Sequence, residues 1–123
     1  AEARVVGAGD VGGDFTILDI GPETIRRYAD AIEGKGTLVW NGSMGAAELE
    51  PFRQGTHFLA ARVAELSSGS DLSSVAGGGD TVTFLGRHRF LHIFTYASMA
   101  GGAFLQWLSG EPLPGVEALR KGY

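Results

Sequence analysis

Three apolar runs, Thr37-Leu38-Val39-Trp40, Leu72 to Ala76 and Ile93 to Ala97, each give way to a loop of glycines and small polar residues, with helical patterns between them. A short apolar run bounded by turn residues reads as a buried strand. Strands that alternate with helices are joined by right-handed crossovers and lie parallel, which is the logic of an open α/β sheet. The expected architecture is a Rossmann-like open parallel sheet with flanking helices, in three layers. In such sheets ligands bind beyond the carboxyl ends of the strands, and the loops after Trp40, Ala76 and Ala97 all fall at that edge.

The connecting segments fit this pattern. Phe15-Thr16-Ile17-Leu18 reads as a further short strand, followed by a helix over Glu23 to Ile32 with Ile25, Tyr28, Ala29 and Ile32 on one face. Pro22 suits the first helical position, and Gly34 and Gly36 suit the stop. Ala46 to Leu49 is expected to begin a short helix limited by Pro51. Thr56 is a candidate cap for a longer helix in which Phe58, Leu59, Arg62, Val63 and Leu66 follow helical spacing, the Arg62 stem lying along the apolar stripe. A last helix is expected over Ala103 to Leu108. Leu113-Pro114-Gly115 marks a turn before a short tail.

Within this frame Ser74-Val75-Ala76-Gly77-Gly78-Gly79-Asp80-Thr81 carries the strongest local signal. Three residues without a Cβ let backbone N–H groups approach a bulky anion, and the helix that follows points its positive dipole end at it. A phosphate cradle is one reading. A strand-to-helix turn in which Asp80 is an ordinary N-cap is the other.

Composition narrows the function classes. The 123 residues allow one folding unit, and a formal charge of −4 argues against a nucleic-acid binder, which needs a basic footprint. With no cysteine, disulfides and thiolate metal sites are excluded and a cytoplasmic address is expected. Phe90 to Gly110 has no charged side chain, but His92, Ser98, Gln106 and Gly101-Gly102 interrupt it, so a buried strand-turn-helix unit is expected and no membrane span. The start, Ala1-Glu2-Ala3-Arg4, has no apolar export core and no methionine, as in a processed or excised chain.

The chain resembles phosphoglycerate kinase, in the distal part of that family's C-terminal nucleotide-binding domain. The matching stretches are Leu18-Asp19-Ile20-Gly21-Pro22-Glu23-Thr24, Val39-Trp40-Asn41-Gly42-Ser43-Met44-Gly45, Gly77-Gly78-Gly79-Asp80-Thr81, Gly101-Gly102-Ala103-Phe104-Leu105 and Leu113-Pro114-Gly115-Val116-Glu117-Ala118-Leu119, in family order and spacing. The resemblance implies phosphoryl transfer between ATP and 3-phosphoglycerate, giving ADP and 1,3-bisphosphoglycerate, with Mg²⁺ on the nucleotide phosphates. It also implies the roles. Gly77, Gly78 and Gly79 approach the nucleotide, Asp80 holds Mg²⁺ directly or through water, and Thr81 meets the phosphates. Asn41 and Gly45 border the nucleotide, and Glu48 accepts from the ribose hydroxyls, against a bland reading as a solvated helix residue. Leu18 is an adenine wall or an ordinary strand residue. The backbone of Gly101 and Gly102 faces the transferring phosphoryl group.

The chain departs from the family pattern at Met99, where a hydroxyl residue is usual, and at Gln106, where an acidic one is usual. Ser43 stands for a common proline, which predicts a less rigid Asn41 loop, and Ala47 for a common aromatic. Phe84 to Ile93 keeps the family length but not its mildly acidic character; His88 and His92, four apart, are able to share a helical face there. The family's phosphoglycerate-binding domain, with its arginines, and the first part of the nucleotide domain have no counterpart in these residues. The chain is therefore expected to be a single partial domain over 1–123, incomplete relative to the family and inactive alone. Binding of 3-phosphoglycerate would rest with the missing domain, and an exposed sheet edge would favour self-association. The alternatives are a remnant with weak nucleotide affinity and a structural fragment whose Arg87 to Ile93 segment contacts another chain.

Overall fold

The computed structural model describes residues 2–34, 36–69 and 71–122. Three strands, β1 (Thr37–Asn41), β2 (Ser73–Gly77) and β3 (Tyr96–Ser98), form a parallel sheet in the order β1-β2-β3. Among the described residues five α-helices flank it: α1 (Pro22–Ile32), α2 (Gln54–Ser68), α3 (Gly79–Arg87), α4 (Gly101–Leu108) and α5 (Pro114–Arg120). This is the three-layer, Rossmann-like α/β arrangement that the alternation predicts.

The register fixes which residues share a face. Trp40 pairs with Ala76 and Ala76 with Ala97, while Val39 pairs with Val75 and Val75 with Tyr96. The Trp40–Ala76 face packs on α2 and α3, in a core with Leu59, Ala60, Val63, Leu85 and Phe94. Trp40 meets Phe94 edge to face at 6.1 Å between ring centres. Helix α2 can lie close to the sheet because its buried positions recur four apart, as Gly55, Thr56, Leu59, Ala60, Val63 and Ala64, and half of them are alanine or glycine. On the opposite face Gly77 faces Phe104 of α4, so that helix covers the carboxyl end of the second layer. Further from that end the Val39–Val75–Tyr96 row is open, with Val39 and Tyr96 exposed.

Helix α1 starts at Pro22 and ends before Gly34, whose φ of +76° is the left-handed stop that glycine allows. Leu85, fully buried, fixes α3 against the core. The amino ends of β2 and β3 are joined by a buried polar knot. Ser74 Oγ lies 2.7 Å from Ser67 Oγ of α2 and accepts from the Thr95 amide, while the Ser74 amide donates to Thr95 Oγ1 at 2.9 Å. Ser74→Ala removes a buried hydroxyl that partners Ser67 Oγ and the Thr95 amide, both part-buried, and it is expected to lower stability by about 1 kcal/mol in urea unfolding. No loss would show that water replaces the hydroxyl.

Several local expectations are corrected. Phe15 to Leu18 is not a strand: no neighbouring strand pairs with it among the described residues, and it is held by single contacts, with Arg4 over the Phe15 ring at 3.8 Å and Leu18 O accepting from Ala46 N. Ala46 to Leu49 is a turn rather than a helix, and the helical turn comes later, at Glu50–Phe52. Thr56 is not the cap of α2, which begins two residues earlier; its hydroxyl accepts from the Met44 amide. The third strand starts at Tyr96 because Leu91–Ile93 takes a 3-10 turn and Thr95 is committed to Ser74. Helix α4 has no buried residue, and Leu105, Trp107 and Leu108 are exposed. No described helix is long and apolar enough to cross a membrane.

Candidate functional site

The last residues of the strands, Asn41, Gly77 and Ser98, stand in register, so the three loops leave the sheet side by side at its carboxyl edge. Hydrogen bonds then knit them together. Trp40 Nε1 donates to Gly42 O, Gly42 N donates to Thr81 Oγ1 at 2.8 Å, and Gly78 N donates to Ser98 O at 2.9 Å. Thr81 is buried; as an acceptor from Gly42 its hydroxyl keeps its own proton to donate.

Each glycine of the central turn has its own physical requirement. Gly77 is pressed against α4, since a Cβ there would stand 2.6 Å from the Phe104 ring. Gly78, the N-cap of α3, has φ +99°, a conformation that an L side chain rarely takes. Gly79 is the first residue of α3 and faces open space. Gly101, the first residue of α4, touches the turn directly: its Cβ would lie 3.2 Å from Gly78 Cα. Gly102 beside it is exposed and open.

Two helix N-termini therefore meet at this edge. Neither α3 nor α4 has a side chain capping its first amides. Unpaired amides and two dipole ends in one place make a region of positive potential with no cationic side chain in it. Asp80 is not the N-cap of the bland reading: it sits in the first turn of α3, exposed, with no hydrogen bond or ion pair among the described residues.

Of the remaining predicted residues, Asn41 ends β1, Gly45 and Glu48 follow it in the loop, and Leu18 precedes α1. Asn41 is exposed, and its Nδ2 is 3.1 Å from where a Gly77 Cβ would be, which puts its amide beside the turn. Gly45 packs against the Leu18–Asp19 backbone, and Ala46 N donates to Leu18 O at 2.8 Å. Glu48 is exposed on the following turn. The structure thus brings Asn41, Gly77, Gly78, Thr81 and Gly101 into one cluster with Gly79, Asp80 and Gly102 at its rim; it shows no contact of that cluster with Leu18 or Glu48. Within this loop Ser43 donates its hydroxyl to Gly45 O at 2.6 Å. Met99 is exposed and Gln106 half-buried.

Sequence reasoning assigned no role to Asp19. Its carboxylate accepts from Ile20 N and from Gly55 N, the latter at 3.0 Å, so it caps α2 from a distant segment. An aspartate before Ile-Gly-Pro reads only as a local turn, because its partner is 36 residues on. Asp19 positions the loop after β1 and touches none of the cluster directly in these contacts.

The fold defines an open α/β protein with two uncapped helix N-termini at the carboxyl edge of its sheet. The phosphoglycerate kinase family profile matches residues 1–111, and the chain belongs to that family. It is 48% identical over 120 residues to the phosphoglycerate kinase of Bradyrhizobium diazoefficiens and 50% identical over 121 residues to that of Xanthobacter autotrophicus, in each case across 98% of this chain. Those stretches are 30% and 31% of the relatives, so the chain spans under a third of their length. Among solved structures, phosphoglycerate kinase from Coxiella burnetii superposes with a TM-score of 0.83 at 40% identity, over 94% of this chain and 29% of that one. The Pyrococcus horikoshii phosphoglycerate kinase gives 0.76 at 33% identity, over 87% and 25%.

Proposed function

We propose that this chain supplies part of the Mg-nucleotide site of an enzyme that transfers a phosphoryl group between ATP and 3-phosphoglycerate. One observation carries the reading: the α3 and α4 N-termini abut through Gly78 and Gly101 at the carboxyl edge of a parallel sheet, in a chain of the phosphoglycerate kinase family. Phosphoryl transfer is catalysed mainly by positioning and by neutralising charge on the moving group, which is work that fixed backbone amides do without reorganising. Gly77 and Gly78 hold the turn in shape. Gly79 offers its amide to the phosphates, with the Thr81 proton beside it. Asn41 and Gly45 border the nucleotide, Leu18 walls the adenine and Glu48 takes the ribose diol. Gly101 and Gly102 direct amides at the transferring group.

Magnesium fits the donor set. It takes one or two carboxylates, keeps several waters and uses phosphate oxygens for the rest, so the exposed carboxylate of Asp80 suffices. Bound there, the ion would neutralise charge on the phosphates.

Calorimetric titration with MgADP tests the reading. Binding in the micromolar to millimolar range is expected, and heat-free titration through the millimolar range would count against it. Asp80→Asn should weaken MgADP about tenfold, the scale of one charge-assisted contact, and leave metal-free ADP unchanged. Equal loss with and without the metal would remove Asp80 from the magnesium role. Turnover by the chain alone is expected to be negligible, since the cluster holds no lysine or arginine against the charge of the moving group. Recognition of 3-phosphoglycerate belongs to residues beyond these 123.

A further inference from the structure

The segment Arg87 to Ile93 finds no use in the nucleotide reading, and its placement gives it one. Helix α3 ends at Arg87 with His88 as its cap, so His88 and His92 do not share a helix face. His88 turns to α2 instead. Its ring meets His57 edge to face at 5.7 Å and lies 4.4 Å from Phe84, while His57 meets Phe90 at 5.1 Å. Arg53, just before α2, is held by its Nε donating to Ala47 O at 2.8 Å, an anchor that leaves its two terminal nitrogens without a partner among the described residues.

The charges that bear on His88 are of one sign. From the α2 side Arg53 and His57 act on His88, and from α3 Arg87 does. The neighbouring 3-10 turns add His92 and Glu50, both exposed and neither among the groups acting on His88. Among the described residues Arg53, Arg87 and Arg89, like Arg4 and Arg26, have no carboxylate within salt-bridge distance, whereas Arg27, Arg62 and Arg120 do. Burial, and then these cations, hold the His88 imidazolium below its ordinary range near 6.5. In a chain of net charge −4, this concentration of unpaired cations lacks a counter-charge.

We propose that Arg53, His57, Arg87 and His88 form a binding site for a phosphate-class oxyanion. Two guanidinium groups supply forked donors suited to such an anion, and each imidazole adds a second N–H when protonated. None of these residues belongs to the nucleotide loops, so the inference stands apart from the proposed function. The site also fixes a pH dependence. A base whose folded pKa is lowered contributes stability that is fully present above the unfolded value near 6.5 and is lost as the pH falls from there through the lower folded value. A bound anion reverses that loss, because it favours the protonated rings.

Proton NMR of the imidazole Cε1–H groups of the 123-residue chain, titrated with inorganic phosphate at constant ionic strength against chloride, reads the site directly. Phosphate is expected to raise the titration midpoints of His57 and His88, to leave that of exposed His92 unmoved, and to bind several-fold tighter at pH 6 than at pH 8. Arg87→Gln should weaken the effect several-fold with the amide spectrum still folded, and Arg53→Lys, which keeps charge but loses the fork, should weaken it with the midpoint of His88 still low. Midpoints indifferent to phosphate, a shift undiminished in Arg87→Gln, or a response to a glutamate-rich peptide with none to phosphate would each overturn the proposal.

Discussion

Gly45→Ala is expected to destabilise the chain by about 3 kcal/mol, the upper part of the range for overpacking. A Cβ at Gly45 would lie 2.5 Å from Leu18 O, 2.7 Å from Asp19 Oδ1 and 2.8 Å from Asp19 Cα. Two of those atoms are backbone, so no side-chain rotation relieves the clash. The Leu18–Asp19 strap would have to move, and with it the Asp19 hydrogen bond to the first turn of α2 and the Ala46–Leu18 hydrogen bond. Loss of nucleotide affinity should accompany the loss of stability, because the same loop leaves β1 directly at Asn41. Equilibrium unfolding in urea checks the first effect. A shift under 1 kcal/mol would mean that the strap is not seated as described.

Leu85→Ala is expected to cost about 2–5 kcal/mol by a different route. Leu85 is fully enclosed, between the sheet, α2 and the 3-10 turn before β3, and its truncation removes apolar contact and leaves a cavity that close-packed neighbours fill only in part. Since α3 carries Gly79, Asp80 and Thr81 at its other end, loosening its seat should also weaken MgADP. Saturating MgADP should then recover part of the lost stability by linkage. Calorimetric melting with and without the nucleotide measures both; a variant as stable as the parent would show that α3 is held from its N-terminus alone.

The parallel sheet was legible because its evidence is local. Trp40 and Ala76 end short apolar runs, Pro22 and Gly34 bracket α1, and each reports a backbone preference that needs no knowledge of neighbours. The meeting of loops after Trp40, Ala76 and Ala97 followed from topology, since parallel strands put all their carboxyl ends at one edge. Misreadings fall where distant partners decide. Phe15 to Leu18 has strand composition but no strand to pair with among the described residues, and Thr56 has the chemistry of a cap but spends its hydroxyl on Met44. Asp19 caps a helix that starts 35 positions later, and His88 pairs with His57 across two elements rather than with His92 along one. Why Gly77 must be glycine was likewise hidden: its neighbour, the Phe104 ring, comes from the next helix but one sheet layer away.

Backbone amide chemical shifts recorded on adding MgADP test the central claim, that two uncapped helix N-termini and the loop after β1 form one polyanion site. The largest changes are expected at Gly79, Asp80, Thr81, Gly101, Gly102 and Asn41, with Glu2 to Asp14 and α5 unmoved. Changes centred elsewhere, or at α3 alone with the α4 N-terminus silent, would contradict it.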